Sequence, residues 1–346
     1  MADRKIKIAL VGCGRISVNH FEAIQNNPSL ELVAVCDVNV DRAREAGDKW
    51  DVSFYDSYEE MLKRTDIELI TICTPSGLHP HQTVMAAENK IHVITEKPMA
   101  ISLKDANKMI QACDDNGVKL FVVKQNRLNS TLQLVKRAVD KNRFGKIYMV
   151  SVNVFWQRPQ SYYDAASWRG TWELDGGAFM NQASHYVDMM EWLIGDVEKV
   201  YAITDTMARD IEAEDTGSAV LRFKNGAIGN MNVTMLTYPR NLAGNLTILG
   251  EKGTVVVGGT SVNSIDKWDF EDSDNDDELA ANVSYSPPSV YGFGHIGYYQ
   301  NVVDVLFNGA EQGTDGNEGK KSLEVILAIY QSAREQKEIK LPLIEN

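Results

Sequence analysis

The chain has 346 residues, enough for two domains with their own cores rather than one small module. Apolar residues make up 44% and charged residues 24%, values that exclude collagen, extended disorder and a membrane-spanning helix. The formal net charge of -13 repels phosphate polymers and anionic lipid, so neither nucleic acid nor a membrane is expected as a partner.

The start runs from Met1 through Arg4, Lys5 and Lys7 directly into a strand, without a signal-type apolar core, so a cytoplasmic location is expected. From Lys5 onward, short β-branched runs alternate with helical segments of about a dozen residues, the pattern of repeated βαβ units on a parallel sheet. Strands are predicted at Ile6 to Val11, Leu32 to Cys36, Val52 to Tyr55, Leu69 to Cys73, His92 to Thr95 and Leu120 to Val123. Six such strands predict an α/β, doubly wound Rossmann domain over residues 1–125. After Asn126 the rhythm changes to a helix from Thr131 to Lys141, a long strand from Lys146 to Trp156 and a stretch rich in Tyr, Trp and Arg. A helix from Asn181 to Leu193 follows, then alternating runs at Thr216 to Phe223, Ala227 to Met235 and Asn245 to Val257. Gly250-Glu-Lys-Gly253 reads as a hairpin turn within the last. Residues 126–346 are therefore predicted to form an α+β domain on an open, mainly antiparallel sheet.

Residues 1 to 125 carry a net charge of -3 and the remainder -10, with seven acids between Asp269 and Glu278. That run is expected to be a solvated loop: Asp277 stands where a calcium loop turns on glycine, and Val283 stands where it needs Glu. Cys13, Cys36, Cys73 and Cys113 are too few and too scattered for a disulfide framework or a metal site, and small buried thiols are expected.

Gly12-Cys-Gly14-Arg-Ile-Ser17 follows the first strand and opens a helix, the context in which a glycine loop receives a pyrophosphate. Ser17 takes the place of the third glycine. The second strand ends at Cys36-Asp37, where a carboxylate can accept both hydroxyls of an adenosine ribose, and Val38 and Asn39 offer no cation to a 2'-phosphate. The expected cofactor is therefore NAD. Thr74-Pro75 and His79 follow the fourth strand at the edge where the nicotinamide half should lie, whereas His81 reads as a helix-start residue. Glu96-Lys97-Pro98 follows the fifth strand, and a lysine there can accept or orient an alcohol proton. In the second domain Asp175-Gly-Gly177 leads into a helix whose spacing puts Asn181, His185 and Asp188 on one face. No metal site is expected. The short-chain dehydrogenase site is absent as well, because none of the 13 tyrosines has a lysine four residues later.

Taken together, these motifs resemble the glucose-fructose oxidoreductase, inositol dehydrogenase and rhizopine catabolism (Gfo/Idh/MocA) family of nicotinamide-dependent sugar oxidoreductases. The likeness rests on the glycine loop, Glu96-Lys97-Pro98, the helix with His185, the Gly250 to Gly253 hairpin and the tail from Asp315-Gly-Asn-Glu-Gly319 through Ser332. Within that family, Val122 to Arg127, Asn153 to Pro159, Tyr162 to Gly170 and Asn181 to His185 look like the UDP-N-acetylglucosaminuronate 3-dehydrogenases of bacterial O-antigen synthesis. The resemblance implies Lys97 and His185 as the catalytic pair and a cis Lys97-Pro98 bond. Many members carry Asp where this chain has Asn181, but the subgroup keeps Asn. The resemblance also implies an NAD site of Gly12, Gly14, Arg15, Ile16, Asp37, Ser57, Thr74, Pro75, His79, Glu96, Lys97, Gln125, Trp168 and Arg169. For an anionic sugar nucleotide it implies Lys97, Arg158, Tyr163, Arg169, Asn181, Gln182, His185 and Arg240. A homotetramer is implied too. The alternatives are an inositol or free-sugar dehydrogenase of the family, and a non-catalytic NAD- or sugar-binding regulator.

Overall fold

The protein is described by a computed structural model that covers residues 4–286 and 292–344. It divides into two compact units, one of residues 1–124 with 295–320 and the other of 125–294 with 321–346.

The first unit is built on β1 (Ile6–Val11), β2 (Leu30–Cys36), β3 (Ser53–Tyr55), β4 (Leu69–Ile72), β5 (His92–Thr95) and β6 (Leu120–Val122). All neighbours pair in parallel, in the order β3-β2-β1-β4-β5-β6, the arrangement of a dinucleotide-binding sheet. The connecting helices are α1 (Ser17–Gln25), α2 (Val40–Trp50), α3 (Tyr58–Leu62), α4 (His79–Glu88) and α5 (Leu103–Asn116). A sheet covered on both faces needs continuous apolar strands, and Ile8, Leu10, Leu69, Ile70 and Ile94 are all fully buried. The strands match the sequence expectation to within two residues at each end. The sequence order hides the return of residues 295–320 to this unit. That segment supplies Tyr298, Tyr299, Val302 and Val303 to the core that contains Ile8, Leu10 and Phe121.

The second unit begins with α6 (Ser130–Asp140), β7 (Ile147–Phe155), α7 (Gln160–Asp164) and α8 (Ser184–Ile194). Then come β8 (Val197–Asp205), β9 (Thr216–Phe223), β10 (Ile228–Thr234), β11 (Ala243–Gly250), β12 (Gly253–Gly258) and β13 (Ser264–Phe270). After α9 (Asp276–Ala280), the chain passes through α10 (Gly294–Asn308) and α11 (Gly316–Glu335) to β14 (Ile339–Lys340). The eight strands lie in the order β13-β12-β11-β7-β10-β9-β8-β14, antiparallel throughout except for β7 with β10. Alternation of burial along β10, and along β11 as far as Ile248, gives the sheet one apolar and one polar face. On the polar face, Ser218, Asn232, Asn153 and Asn245 form a side-chain hydrogen-bond ladder across four strands, each step between 2.7 and 3.0 Å.

Two expectations change here. The acidic run is not a freely solvated loop: Arg137 and Lys141 pair with Asp276 at 2.8 and 3.0 Å, Arg143 pairs with Asp277 at 2.7 Å, and part of the run winds into α9. Basic side chains from α6 and the turn after it neutralise the acids, and the carboxyl of Asp277 is pulled down to about 2 by the hydrogen bond from Arg143. The helix carrying His185 starts at Ser184 rather than Asn181, because the preceding residues form turns, with Asn181 N–H on the Gly177 carbonyl and Ala183 N–H on that of Ala178. Asn181 therefore precedes the helical face on which His185 and Asp188 sit.

The cysteines are free thiols, and Cys36, Cys73 and Cys113 are buried. Burial pushes Cys36 and Cys113 up to about 12, so neither is a nucleophile at neutral pH.

Candidate functional site

In the first unit, register sets the site. Val11 lies beside Cys36 and Ile72, and Ile72 lies beside Thr95, so β2, β1, β4 and β5 end level with one another. The residues that follow, Asp37, Gly12, Thr74 and Glu96, are thereby delivered to one carboxyl edge. Gly12 has φ +90°, and a Cβ there would come within 2.7 Å of the Cys73 backbone, so only glycine closes this turn. A Cβ on Gly14 would meet nothing within 4 Å, leaving its backbone open to an incoming group. Ser17, buried, donates its hydroxyl to the Gly14 carbonyl at 2.6 Å and so fastens the loop to α1. Arg15 is exposed and Ile16 half-buried at the same helix start.

Asp37 is held before any ligand is bound. Oδ2 accepts from Cys13 N–H at 2.9 Å and Oδ1 from Asn39 N–H at 2.8 Å. Arg42, one turn into α2, lies 3.3 Å from Oδ1 and is half exposed, a cation that the reading of positions 38 and 39 does not reach. A backbone cradle closed by glycine, an open amide turn and a fixed carboxylate together fit a dinucleotide's pyrophosphate and ribose.

At the neighbouring strand end, His79 is buried with Nδ1 3.0 Å from the Pro98 carbonyl and Nε2 2.8 Å from that of Thr74. Burial pushes its imidazole down, against the pull of those two carbonyls. His79 thus ties the Thr74-Pro75 turn to Pro98. Ser57 caps α3, accepting from Glu60 N–H. The Lys97-Pro98 peptide is cis, and Lys97 is half-buried. Behind it Glu96 is buried, with Oε1 3.0 Å from His20 Nε2 and Oε2 accepting Lys97 N–H at 3.0 Å.

In the second unit the Gly176-Gly177 turn is shaped by Glu214. A Cβ on Gly177 would fall 1.7 Å from Glu214 Oε2, which excludes any side chain there. Glu214 Oε1 accepts from Phe179 N–H at 2.8 Å and from the Tyr330 hydroxyl at 3.0 Å, while that hydroxyl accepts from Met180 N–H at 3.0 Å. Burial pushes the Glu214 carboxyl up to about 7 in spite of these donors. The same turn brings Asn181 to Asp175, whose Oδ1 accepts the Asn181 amide and whose Oδ2 accepts Gly170 N–H at 2.7 Å. A buried carboxylate thus lies directly behind the amide.

His185 is buried, with Nε2 3.5 Å from Gln125 Nε2. Gln182, also buried, precedes it. The Asp188 carboxylate is taken bidentate by Arg127, at 2.9 Å from Nε and 2.7 Å from Nη2, both side chains buried. That pair anchors Gln125 to Leu128 against α8.

The arginines fall into two groups. Arg158 and Arg169 both lie over the Tyr162 ring, at 5.5 and 4.3 Å from its centroid, and Arg169 also lies 5.5 Å from the Trp168 ring. Arg169 Nη1 donates to the Tyr162 carbonyl at 2.5 Å, and Tyr163 is buried against Tyr162. Arg240 is exposed on a loop that Asn241 ties to the Arg158 segment by accepting from Gln157 N–H at 2.8 Å and Arg158 Nη1 at 3.3 Å. Sequence spacing does not find Arg42, His20 and His295 in the first unit, nor Glu214 and Asn241 in the second.

Both domains match known family models. A model of the oxidoreductase family's NAD-binding Rossmann fold matches residues 6–124, and one of the oxidoreductase family's C-terminal alpha/beta domain matches residues 136–341. The chain is 56% identical to the WlbA dehydrogenase of Bordetella pertussis, solved in complex with NADH and UDP-GlcNAcA, with a TM-score of 0.96 over 99% of this chain and 100% of that one. It is 53% identical to the WlbA dehydrogenase of Chromobacterium violaceum, solved with the same two molecules, with a TM-score of 0.95 over 100% and 98%. Among curated proteins, a D-apiose dehydrogenase of Paraburkholderia graminis is 26% identical over 359 residues, covering 99% of this chain and 91% of that one. With both of its domains matched and its whole length shared with these dehydrogenases, the chain belongs to the Gfo/Idh/MocA family of NAD-binding oxidoreductases.

Proposed function

We propose that this enzyme uses NAD to oxidise the C3 hydroxyl of UDP-2-acetamido-2-deoxy-D-glucuronate, forming the 3-keto sugar nucleotide for O-antigen synthesis in the cytoplasm. The observation that carries this reading is whole-length identity of 53% and 56% to two dehydrogenases solved with NADH and UDP-GlcNAcA.

Gly12, Gly14, Arg15 and Ile16 would hold the pyrophosphate, Asp37 the adenosine ribose, and Ser57, Thr74, Pro75, His79, Glu96, Lys97, Gln125, Trp168 and Arg169 the remainder. NAD supplies a hydride acceptor. The chain's own work is to fix the sugar and move a proton. As the C3–H bond breaks, the C3 hydroxyl loses its proton to Lys97 or His185 and the C3–O bond becomes a carbonyl, so charge and atoms balance. Arg158, Arg169 and Arg240 are assigned to the diphosphate and carboxylate, with Tyr163, Asn181 and Gln182 on the pyranose. Stacking on Tyr162 supports this assignment, because a guanidinium already placed by an aromatic ring loses less freedom when it meets an anion.

Substrate deuterated at C3 provides the test. Deuterium should appear in NADH in one equivalent per turnover, and in none when the label is at C4. Transfer of the C4 label instead would overturn the regiochemistry.

A further inference from the structure

Glu96, assigned above to the NAD site, also lies in a buried cluster whose two histidines the proposed chemistry does not use. Its Oε1 is 3.0 Å from His20 Nε2 and 3.8 Å from His295 Nε2, and its Oε2 accepts Lys97 N–H at 3.0 Å. The two imidazoles meet edge to face with centroids 5.0 Å apart. His20 is fixed in turn: its Nδ1 is 2.8 Å from the Tyr299 hydroxyl, which is 2.8 Å from Thr71 Oγ1. His20, Glu96, His295, Thr71 and Tyr299 are all 5% exposed or less. A buried carboxylate needs donors on both oxygens, and here one oxygen faces two histidines while the other takes the backbone of the next residue.

We propose that Glu96, clamped by His20 and His295, is a positioning carboxylate for Lys97, holding its backbone at the strand end and presenting a fixed negative charge to its side chain. The inference rests on the reading of Lys97 as a proton-handling residue. Burial alone would push the Glu96 carboxyl up, but the hydrogen bond from His20, the His295 imidazole close by and the charge of Lys97 outweigh it and hold it well below its usual value. The carboxylate is therefore ionised at neutral pH. The other groups that feel its charge are His79, Cys73, Tyr298 and Tyr299. The three thiol and phenol groups are pushed up by burial and stay neutral, and His79 is pushed down by burial. An anion beside an ammonium raises the ammonium's affinity for its proton. Removing the charge should therefore let Lys97 release its proton at lower pH.

The test follows the Lys97 amine directly in the apoprotein by carbon-13 NMR after reductive dimethylation, its signal assigned as the one missing from Lys97→Arg. Glu96→Gln should move that titration down by about one pH unit. His20→Phe should move it the same way by less, and lower kcat tenfold or more with NAD affinity within threefold. His20→Gln, whose amide can replace the Nε2 donor, should restore most of the rate. If the Lys97 signal titrates unchanged in Glu96→Gln and His20→Phe turns over within twofold of the wild type, the positioning role fails while the reading of Lys97 stands. If Lys97→Met itself keeps turnover, the reading of Lys97 fails and the inference with it. His20, Glu96 and His295 also place their ligand atoms within 4.8 Å of one another, so metal content is measured on the same preparations. One equivalent of zinc or manganese, lost in His20→Phe, would overturn the hydrogen-bonded clamp in favour of an ion.

Discussion

Asp37 accepts two backbone N–H groups, so its carboxylate is oriented before a ribose arrives and loses little freedom on binding one. The spacing from the glycine loop makes this residue legible in the sequence. Arg42 is not, because it reaches back from α2, and no spacing rule places a guanidinium five residues after the acid. The arrangement makes cofactor choice a balance between an anion that repels a 2'-phosphate and a cation that could attract one. The wild type should prefer NAD over NADP by tenfold or more in kcat/KM. Asp37→Ala removes the repulsion and frees Arg42, so the preference should fall by at least tenfold, about 1.4 kcal/mol. An unchanged ratio in that variant would remove Asp37 from cofactor selection. Lys97 and His185 are similarly visible as residue types at a strand end and on a helix. The surroundings of Lys97 are not, since His20 and His295 are 275 positions apart in sequence and meet only through the fold.

At the scale of elements, the Gly176-Gly177 turn and α8 depend on a carboxylate from a distant segment. Gly177 is glycine because Glu214 occupies the space of its side chain, and the sequence shows the glycine without the reason. Asn181 illustrates the same limit. Helical spacing places it on a face with His185, but the turns that satisfy the Gly177 and Ala178 carbonyls delay the helix to Ser184. Its amide meets Asp175 instead. Glu214 makes these dependencies measurable. Its carboxyl is pushed up to about 7 from an ordinary 4.5, so the folded chain holds a proton that the unfolded chain has released between those values. That contribution to stability is complete below pH 4.5 and is lost as pH rises through 7, by roughly 3 kcal/mol. Glu214→Gln keeps an acceptor for Phe179 N–H and Tyr330 but cannot ionise. Its Tm should equal or fall slightly below that of the wild type at pH 5 and exceed it by several degrees at pH 8. Parallel Tm curves across that range would show that Glu214 does not titrate on folding.

Across the whole molecule, the two-domain plan and both sheet types follow from strand length and alternation. The return of residues 295–320 to the first unit does not, because Tyr298 and Tyr299 carry no local mark of the strands they cover. The parallel pairing of β7 with β10 is likewise a tertiary result, made by a crossover that their similar alternation cannot reveal. On the open sheet face Met149, Tyr201, Ile203 and Val220 are exposed beside the Ser218 to Asn245 ladder. An apolar and hydrogen-bonded surface of this kind suits self-association, and sedimentation equilibrium should return the mass of a homotetramer. A monomer at micromolar concentration would contradict this. No helix among the described residues is long and apolar enough to cross a membrane.

The central claim is that this NAD enzyme recognises an anionic sugar nucleotide, and the measurement that bears on it most directly is NADH formation at 340 nm across a panel of sugars. UDP-N-acetylglucosaminuronate should be oxidised with a specificity constant at least roughly thirtyfold above UDP-N-acetylglucosamine, because the neutral sugar leaves an arginine without its carboxylate, a loss of about 2 kcal/mol. Inositol and free sugars should give no measurable turnover. Oxidation of UDP-N-acetylglucosamine or inositol as fast as the uronate would contradict the account and leave a general sugar dehydrogenase in its place.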